Sequence, residues 1–184
     1  MNNVIVIFGS KYGATKCYAE WISKKLSCPL IENKDVNTQN LKQAKIIIYG
    51  GGLYADGVSG IKLLVKNWNL ISDKKIILFT CGLANPEEPE NVSHIRETLA
   101  KTLPSEMLTK IELFHFRGGI DYSKLTFIHK VMMSMMHKVL LKKDSADLSS
   151  EDNLFLETYG KKVDFANRES IQPLVDYVLS LHFE

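Results

Sequence analysis

Ser10, Lys11, Tyr12, Gly13, Ala14 and Thr15 follow directly on Val4–Phe8, an apolar run of strand length, and a helix-like pattern begins at once after them. Hydroxyls and a glycine between a strand and a helix suit one kind of chemistry. The first N–H groups of a helix have no carbonyl partners within it, and the helix dipole favours negative charge at that end. Ser10 and Thr15 can each offer a hydroxyl, and Gly13 lets the main chain come close to an anion. The segment is therefore expected to hold the phosphate of a cofactor. It lacks the Gly-Lys-Ser/Thr ending of a nucleoside-triphosphate loop and the G-x-G-x-x-G spacing of a dinucleotide site. The plain alternative is an ordinary strand-to-helix turn.

Two further segments could stand beside it. Gly50-Gly51-Gly52-Leu53-Tyr54-Ala55-Asp56-Gly57 follows the run Ile46–Tyr49. Three consecutive glycines imply a backbone that turns sharply or is approached closely. A flat aromatic ligand could lie there beside Leu53 or Tyr54, and a flexible turn with Tyr54 half-buried explains the same residues. Thr80-Cys81-Gly82-Leu83-Ala84-Asn85-Pro86 follows the run Ile76–Thr80. Its amides and Asn85 could bind the edge of a heteroaromatic ring. Cys81 reads as a small buried hydrophobe, with no His-based activation in sight. Tyr54, Asp56, His115 and Arg117 lie near predicted strand ends, where packing and surface residues also lie. No general acid or base stands out, so the catalytic residues stay unassigned and redox chemistry would belong to the cofactor.

The elements that must position these residues are legible as a pattern. Val4–Phe8, Ile46–Tyr49 and Ile76–Thr80 are short β-branched runs, each followed by a helical repeat. The helices are predicted over Thr15–Leu26, Ser59–Trp68 and about Glu88–Leu103, the last with Val92, Ile95, Leu99 and Leu103 in phase. A brief strand is predicted at Pro29–Ile31 and another at Ile111–Phe116. Near-continuous apolar strands alternating with amphipathic helices indicate a parallel sheet covered on both faces. In such sheets ligands sit beyond the carboxyl ends of the strands.

A helical and loop insertion is expected over residues 121–152. Within it Asp121 to Leu141 has helical spacing, and Lys142–Asp152 reads as a mobile loop. Phe127, Ile128, Val131, Met132, Met135, Met136 and Val139 make a broad apolar face, punctuated or flanked by Lys124, His129, Lys130, His137, Lys138, Lys142 and Lys143. The ordinary expectation is that this face packs on the core or on a second subunit. The alternative is contact with a membrane surface or an acidic protein through residues 124–143. His129 and His137 are too far apart for a one-turn metal pair, so no metal is expected. Leu154–Tyr159 is a short helical turn or an extended segment. Asn167 is a plausible cap for a last helix from Arg168 to Leu181, with Pro173 in its first turns.

The chain has 184 residues, 45% of them apolar and 24% charged, which suits one domain over residues 1–184. A net charge of +2 is too slight to argue for nucleic acid. Cys17, Cys28 and Cys81 form no disulfide framework, and a cytoplasmic setting is expected. The first apolar run is followed by Lys11 and does not read as a secretory signal. No apolar segment approaches the ~20 residues needed to span a bilayer.

At Ser10–Thr15, Gly50–Tyr54 and Thr80–Asn85 the chain resembles the flavodoxin family. Tyr12 stands where that family's Thr/Ser-x-Thr-Gly-x-Thr loop has its middle hydroxyl residue. The resemblance implies a flavodoxin-like three-layer α/β sandwich. Its five-stranded parallel sheet would run in the order 2-1-3-4-5, with a helical insertion after the last strand. It implies FMN, with the phosphate on Ser10–Thr15. The isoalloxazine ring would lie between Gly51, Gly52, Leu53 and Tyr54 on one side and Thr80, Cys81, Gly82, Leu83 and Asn85 on the other. The chain is also similar to the oxygen-independent, quinone-linked protoporphyrinogen oxidases of bacteria. That likeness rests on Ile61-Lys62-Leu63-Leu64-Val65-Lys66, on Phe116-Arg117-Gly118-Gly119-Ile120-Asp121-Tyr122, and on the Met-rich helix after them. It implies an oxidoreductase that passes electrons between a flat conjugated or quinone-like compound and a partner. A protein-to-protein electron carrier is the other redox reading, although typical flavodoxins are strongly acidic. A binding module that has lost the flavin is a third.

Overall fold

Strands whose side chains are apolar on both faces are stable only when both faces are covered, and this chain folds accordingly. The computed structural model describes residues 3–54 and 57–181. In chain order the elements are β1 (Val4–Gly9), α1 (Ala14–Leu26), β2 (Leu30–Glu32), α2 (Thr38–Gln43), β3 (Ile46–Tyr54), β4 (Gly57–Val58), α3 (Lys62–Lys66) and α4 (Trp68–Ile71). There follow β5 (Lys75–Gly82), α5 (Pro89–Ala100), α6 (Ser105–Lys110), β6 (Ile111–Arg117) and β7 (Gly119–Asp121). The chain closes with α7 (Phe127–Leu140), α8 (Ser150–Thr158), β8 (Lys162–Asp164) and α9 (Gln172–Ser180).

The main sheet runs β2-β1-β3-β5-β6 with every neighbour parallel, and β4 hangs antiparallel on the end of β3. Counted without β4, the parallel strands have the expected order 2-1-3-4-5. Side chains alternate across each strand, so each face builds its own core. On one face Tyr18, Ala19 and Ile22 of α1 and Leu174, Val175 and Val178 of α9 pack on Val6, Ile48, Ile77 and Phe79. On the other, Leu41, Leu64, Ile71, Ile95 and Leu99 pack on Ile7, Ile47, Tyr49 and Leu78.

Several expectations are corrected. Gly50, Gly51 and Gly52 lie inside β3 rather than in a turn, and all three are buried. They are approached closely, but by the protein itself. A Cβ on Gly50 would run into the Phe79 ring, and one on Gly51 into the Val58 side chain. Of the predicted Gly50–Gly57 segment, Ala55 and Asp56 lie outside the described residues.

The helix predicted over Ser59–Trp68 is broken into α3 and α4 and starts later. Ser59 is engaged with β3 instead: its N–H donates to the Gly52 carbonyl at 2.9 Å, and its carbonyl accepts from the Tyr49 hydroxyl at 2.9 Å. Asn67 marks the break, and its side chain donates to the Leu63 carbonyl at 2.8 Å. On α5 the buried stripe is Asn91, Ile95 and Leu99, with Asn91 in the place expected for Val92.

Lys142–Asp152 is not a loop throughout. It holds a 3-10 turn at Ser145–Asp147 and the start of α8, which also takes up most of Leu154–Tyr159. Ser149 and Asp152 form a reciprocal capping box there. The last helix is divided likewise, into a 3-10 turn at Arg168–Ile171 and then α9, with Pro173 in its first turn. The Asn167 side chain accepts from the Glu169 N–H at 2.9 Å, as a cap should.

β7 and β8 were not foreseen. They pair antiparallel, Gly119 opposite Asp164 and Asp121 opposite Lys162, and so tie together the two ends of the excursion that carries α7 and α8.

Candidate functional site

Strand register brings the three predicted segments to one edge. Gly9 pairs with Gly51, Gly51 with Thr80, and Thr80 with His115. The chains leaving β1, β3, β5 and β6 therefore emerge side by side at the carboxyl ends of the strands.

The loop after β1 leads into a helix start that no side chain caps. Gly13 is the N-cap of α1 and holds φ at +102°, a backbone that only glycine adopts without strain, with open space where a Cβ would be. No side chain caps α1, and its first turn carries no acidic residue. The Ser10 hydroxyl oxygen accepts from the Gly13 N–H at 3.1 Å, which folds the loop back on itself. Between Gly9 and Cys17 there is no carboxylate, while Lys11 and Lys16 flank the turn. This donor set fits a phosphate group. Thr15 sits beneath the loop, only 2% exposed, with its side chain bonded to the Cys81 thiol.

Tyr54 leans over this loop. Its hydroxyl oxygen accepts from the Lys11 N–H at 3.1 Å, and the Lys11 ammonium lies 4.7 Å from its ring. Burial raises the Tyr54 hydroxyl above its ordinary pKa. Tyr12 meets Tyr54 edge-on at 5.9 Å between ring centroids. His129, from α7, lies nearly parallel to Tyr54 at 6.3 Å, and its Nδ1 is hydrogen-bonded to the Tyr12 hydroxyl. Three rings thus cover one side of the loop, one of them supplied by the excursion. Leu53, half-buried, lies beside Gly82 across the strand ends.

The loop after β5 is held from two directions. From the β6 side the Gly118 N–H donates to the Gly82 carbonyl at 2.6 Å, and Arg117 Nε donates to the Leu83 carbonyl at 3.2 Å. The Arg117 guanidinium itself lies over the Phe165 ring at 4.0 Å. From the α5 side, Asn91 Nδ2 donates to the Asn85 carbonyl at 2.9 Å, and the Asn85 side chain accepts from the Glu87 N–H at 3.2 Å. Thr80 and Cys81 are buried below, and Gly82, Leu83 and Asn85 are half-buried at the rim. Burial pushes the Cys81 thiol up to about 12, so it is held as a neutral thiol.

Beside this loop opens a cleft of about 350 Å³, bounded on its far side by α8. Asn85, Glu88, Asn91 and Arg117 line one wall, and Ser150 and Leu154 belong to the other. The Ser150 hydroxyl donates to Glu88 at 2.5 Å and closes one end.

Three residues here escaped the sequence reading. Asn91 had one available signal, a polar side chain four residues before Ile95 on a buried stripe. His129 looked like an interruption of an apolar face, and nothing local shows its reach to Tyr12. Tyr18 donates to the Arg117 carbonyl at 2.7 Å and accepts from the Asn167 N–H at 3.0 Å, joining three distant segments. Of the other polar residues noted near strand ends, His115 is half-buried and bonded to Thr80 Oγ1 at 2.8 Å. Asp56 lies outside the described residues.

A family model described as flavodoxin domain matches residues 5–148, and the chain belongs to that family. Membership implies FMN as the cofactor and electron transfer as the activity. Among solved structures the chain is similar to the flavodoxin, WrbA-like protein of Agrobacterium tumefaciens, at 23% identity over 55% of this chain and 73% of that one, TM-score 0.40. It is similar to the Trp repressor binding protein of Bacillus subtilis, at 18% identity over 62% and 84% of the two chains, TM-score 0.44. It is also similar to Flavodoxin 2 of Bacillus cereus, at 20% identity over 61% and 84%, TM-score 0.40. No curated protein matches the sequence.

Proposed function

We propose that this protein is an FMN-dependent oxidoreductase. It passes electrons between a flat conjugated or quinone-like compound and a redox partner, in the manner of the protoporphyrinogen oxidases it resembles. What supports this reading is the convergence of the segments after β1, β3 and β5 at one edge of the sheet in a chain of the flavodoxin family, together with the resemblance at Phe116–Tyr122 and in the Met-rich helix that follows.

FMN, when bound, supplies reversible electron transfer at its ring. The chain's own part is to bind and orient. The N–H groups of Ala14 and Thr15 at the start of α1 and the hydroxyl of Ser10 would hold the phosphate, and Lys11 would lend positive charge. Leu53, Tyr54, Gly82, Leu83 and Asn85 at the rim would contact the ring, with Gly51, Gly52, Thr80 and Cys81 buried below them. Arg117 and Asn91 hold the β5–α5 loop by its Leu83 and Asn85 carbonyls.

The test is anaerobic mixing of the FMN-loaded protein with protoporphyrinogen and a soluble quinone. Porphyrin fluorescence should rise with quinone consumption, and only with flavin present. A protein that reduces or oxidises other redox proteins while leaving both porphyrinogen and quinone untouched would be a carrier, and the enzyme reading would fall.

A further inference from the structure

α7 is inside out. An amphipathic helix ordinarily buries its apolar side. Here the side facing the protein carries His129, which meets Tyr12, and His137, whose ring stacks on Tyr159 at 3.9 Å. The side facing away carries Phe127, Ile128, Val131, Met132, Met135, Met136 and Val139, with Phe127 80% and Met135 63% exposed. Of the exposed large apolar side chains among the described residues, all but Leu179 lie between 127 and 141. The expectation that this face packs on the core is thereby overturned.

From this face we infer a peripheral docking surface for an anionic lipid bilayer. The charge carried by the segment itself is of one sign. No Asp or Glu occurs from Tyr122 to Lys143, while Lys124, Lys130, Lys138, Lys142 and Lys143 border the apolar arc, all of them exposed. Lys124 and Lys143 also contact Asp121 and Asp152 behind the helix. Lys130 and Lys138, about two turns apart, line one flank of the arc. An apolar stripe with a basic border matches the boundary between acyl chains and acidic headgroups, where long lysine stems reach outward to phosphates.

A second copy of the chain fits less well. An antiparallel two-fold contact would set one lysine border against another. The docking is peripheral, since no helix among the described residues is long and apolar enough to cross a membrane. This inference stands apart from the flavin reading, because it uses only the outer face of α7.

The test is co-sedimentation of the full protein with vesicles, read by protein content and so independent of flavin. The protein should pellet with phosphatidylcholine vesicles containing phosphatidylglycerol, more weakly with phosphatidylcholine alone, and less at high salt. Lys138→Gln and Lys142→Gln should each weaken binding about fivefold. The pair Val131→Asp and Met135→Asp should abolish it while leaving the circular dichroism spectrum unchanged. Failure of the wild type to pellet with acidic vesicles overturns the inference, as does equal pelleting by the aspartate pair. A solution dimer that the aspartate pair splits, without vesicle binding, would assign the face to a second copy instead.

Discussion

The hydroxyl of Tyr12 is hydrogen-bonded to Nδ1 of His129, a residue 117 positions further along the chain. This contact joins the loop after β1 to the inner face of α7. The Thr126 N–H, at the start of that helix, also reaches the Tyr12 hydroxyl at 3.5 Å. The excursion is therefore fastened by the β7–β8 ladder, by this tyrosine and by the Ser150–Glu88 hydrogen bond.

Tyr12→Phe keeps the ring and removes the hydroxyl. It should release α7 from the loop and cost about 1 kcal/mol of local stability, the usual worth of one hydrogen bond. Amide exchange over residues 126–133 should accelerate by roughly fivefold, with no change over β1, β3 and β5. Equal acceleration in the sheet would mean that the contact supports the whole fold.

Ser10→Ala removes the oxygen that folds the loop back onto the Gly13 N–H. FMN should bind about tenfold more weakly, since a hydrogen bond to a charged group is worth about 1.5–3 kcal/mol. Riboflavin, which lacks the phosphate, should bind as it does to the wild type. Fluorescence titration with both flavins separates these outcomes. Thr15→Ala is a less clean probe, because that side chain is buried against Cys81.

Gly50→Ala should destabilise the protein by about 3 kcal/mol, as overpacking of a full core does. The added methyl meets the Phe79 ring in the middle of the sheet. Urea unfolding measures the loss. Phe79→Leu in the same chain should recover part of it, because the two sites share one space.

His115 supplies a pH dependence. Burial lowers it from 6.5 to about 4, and the charge of Arg96 adds to the effect. Among the described residues its Nε2 is buried without a partner. The folded chain thus refuses a proton that the unfolded chain accepts below about pH 6.5. The stabilisation is complete above that pH and is lost as pH falls towards 4. Discounted for partial solvent screening, it amounts to about 2 kcal/mol. Melting temperatures measured from pH 7 to pH 4 should fall, and His115→Phe should flatten that part of the curve.

The sheet was legible because its signal is local. Val4–Phe8, Ile46–Tyr49 and Ile76–Thr80 are β-branched runs whose neighbours need no knowledge of the rest of the chain. The strand, turn and helix start around Ser10–Thr15 were legible for the same reason, since they are contiguous in the chain. What escaped depends on distant partners. The glycines at 50–52 look like a turn until Phe79 and Val58 are seen against them. Ser59 looks like a helix start until its backbone is seen bonded to β3. The three-residue strands β7 and β8 have no periodicity of their own and exist only as a pair. The capping box at Ser149 and Asp152 is an exception, a local signal passed over because the stretch around it is polar.

The narrow waist formed by Gly119 and Asp164 has an evolutionary reading. Everything from 120 to 163 departs from and returns to nearly the same point, so its removal would leave two ends that a tight turn could rejoin. Descendants of one ancestor could trade, lengthen or discard that piece while the parallel sheet and its two cores stayed whole, giving up only the cover that His129 lends to Tyr12 and Tyr54.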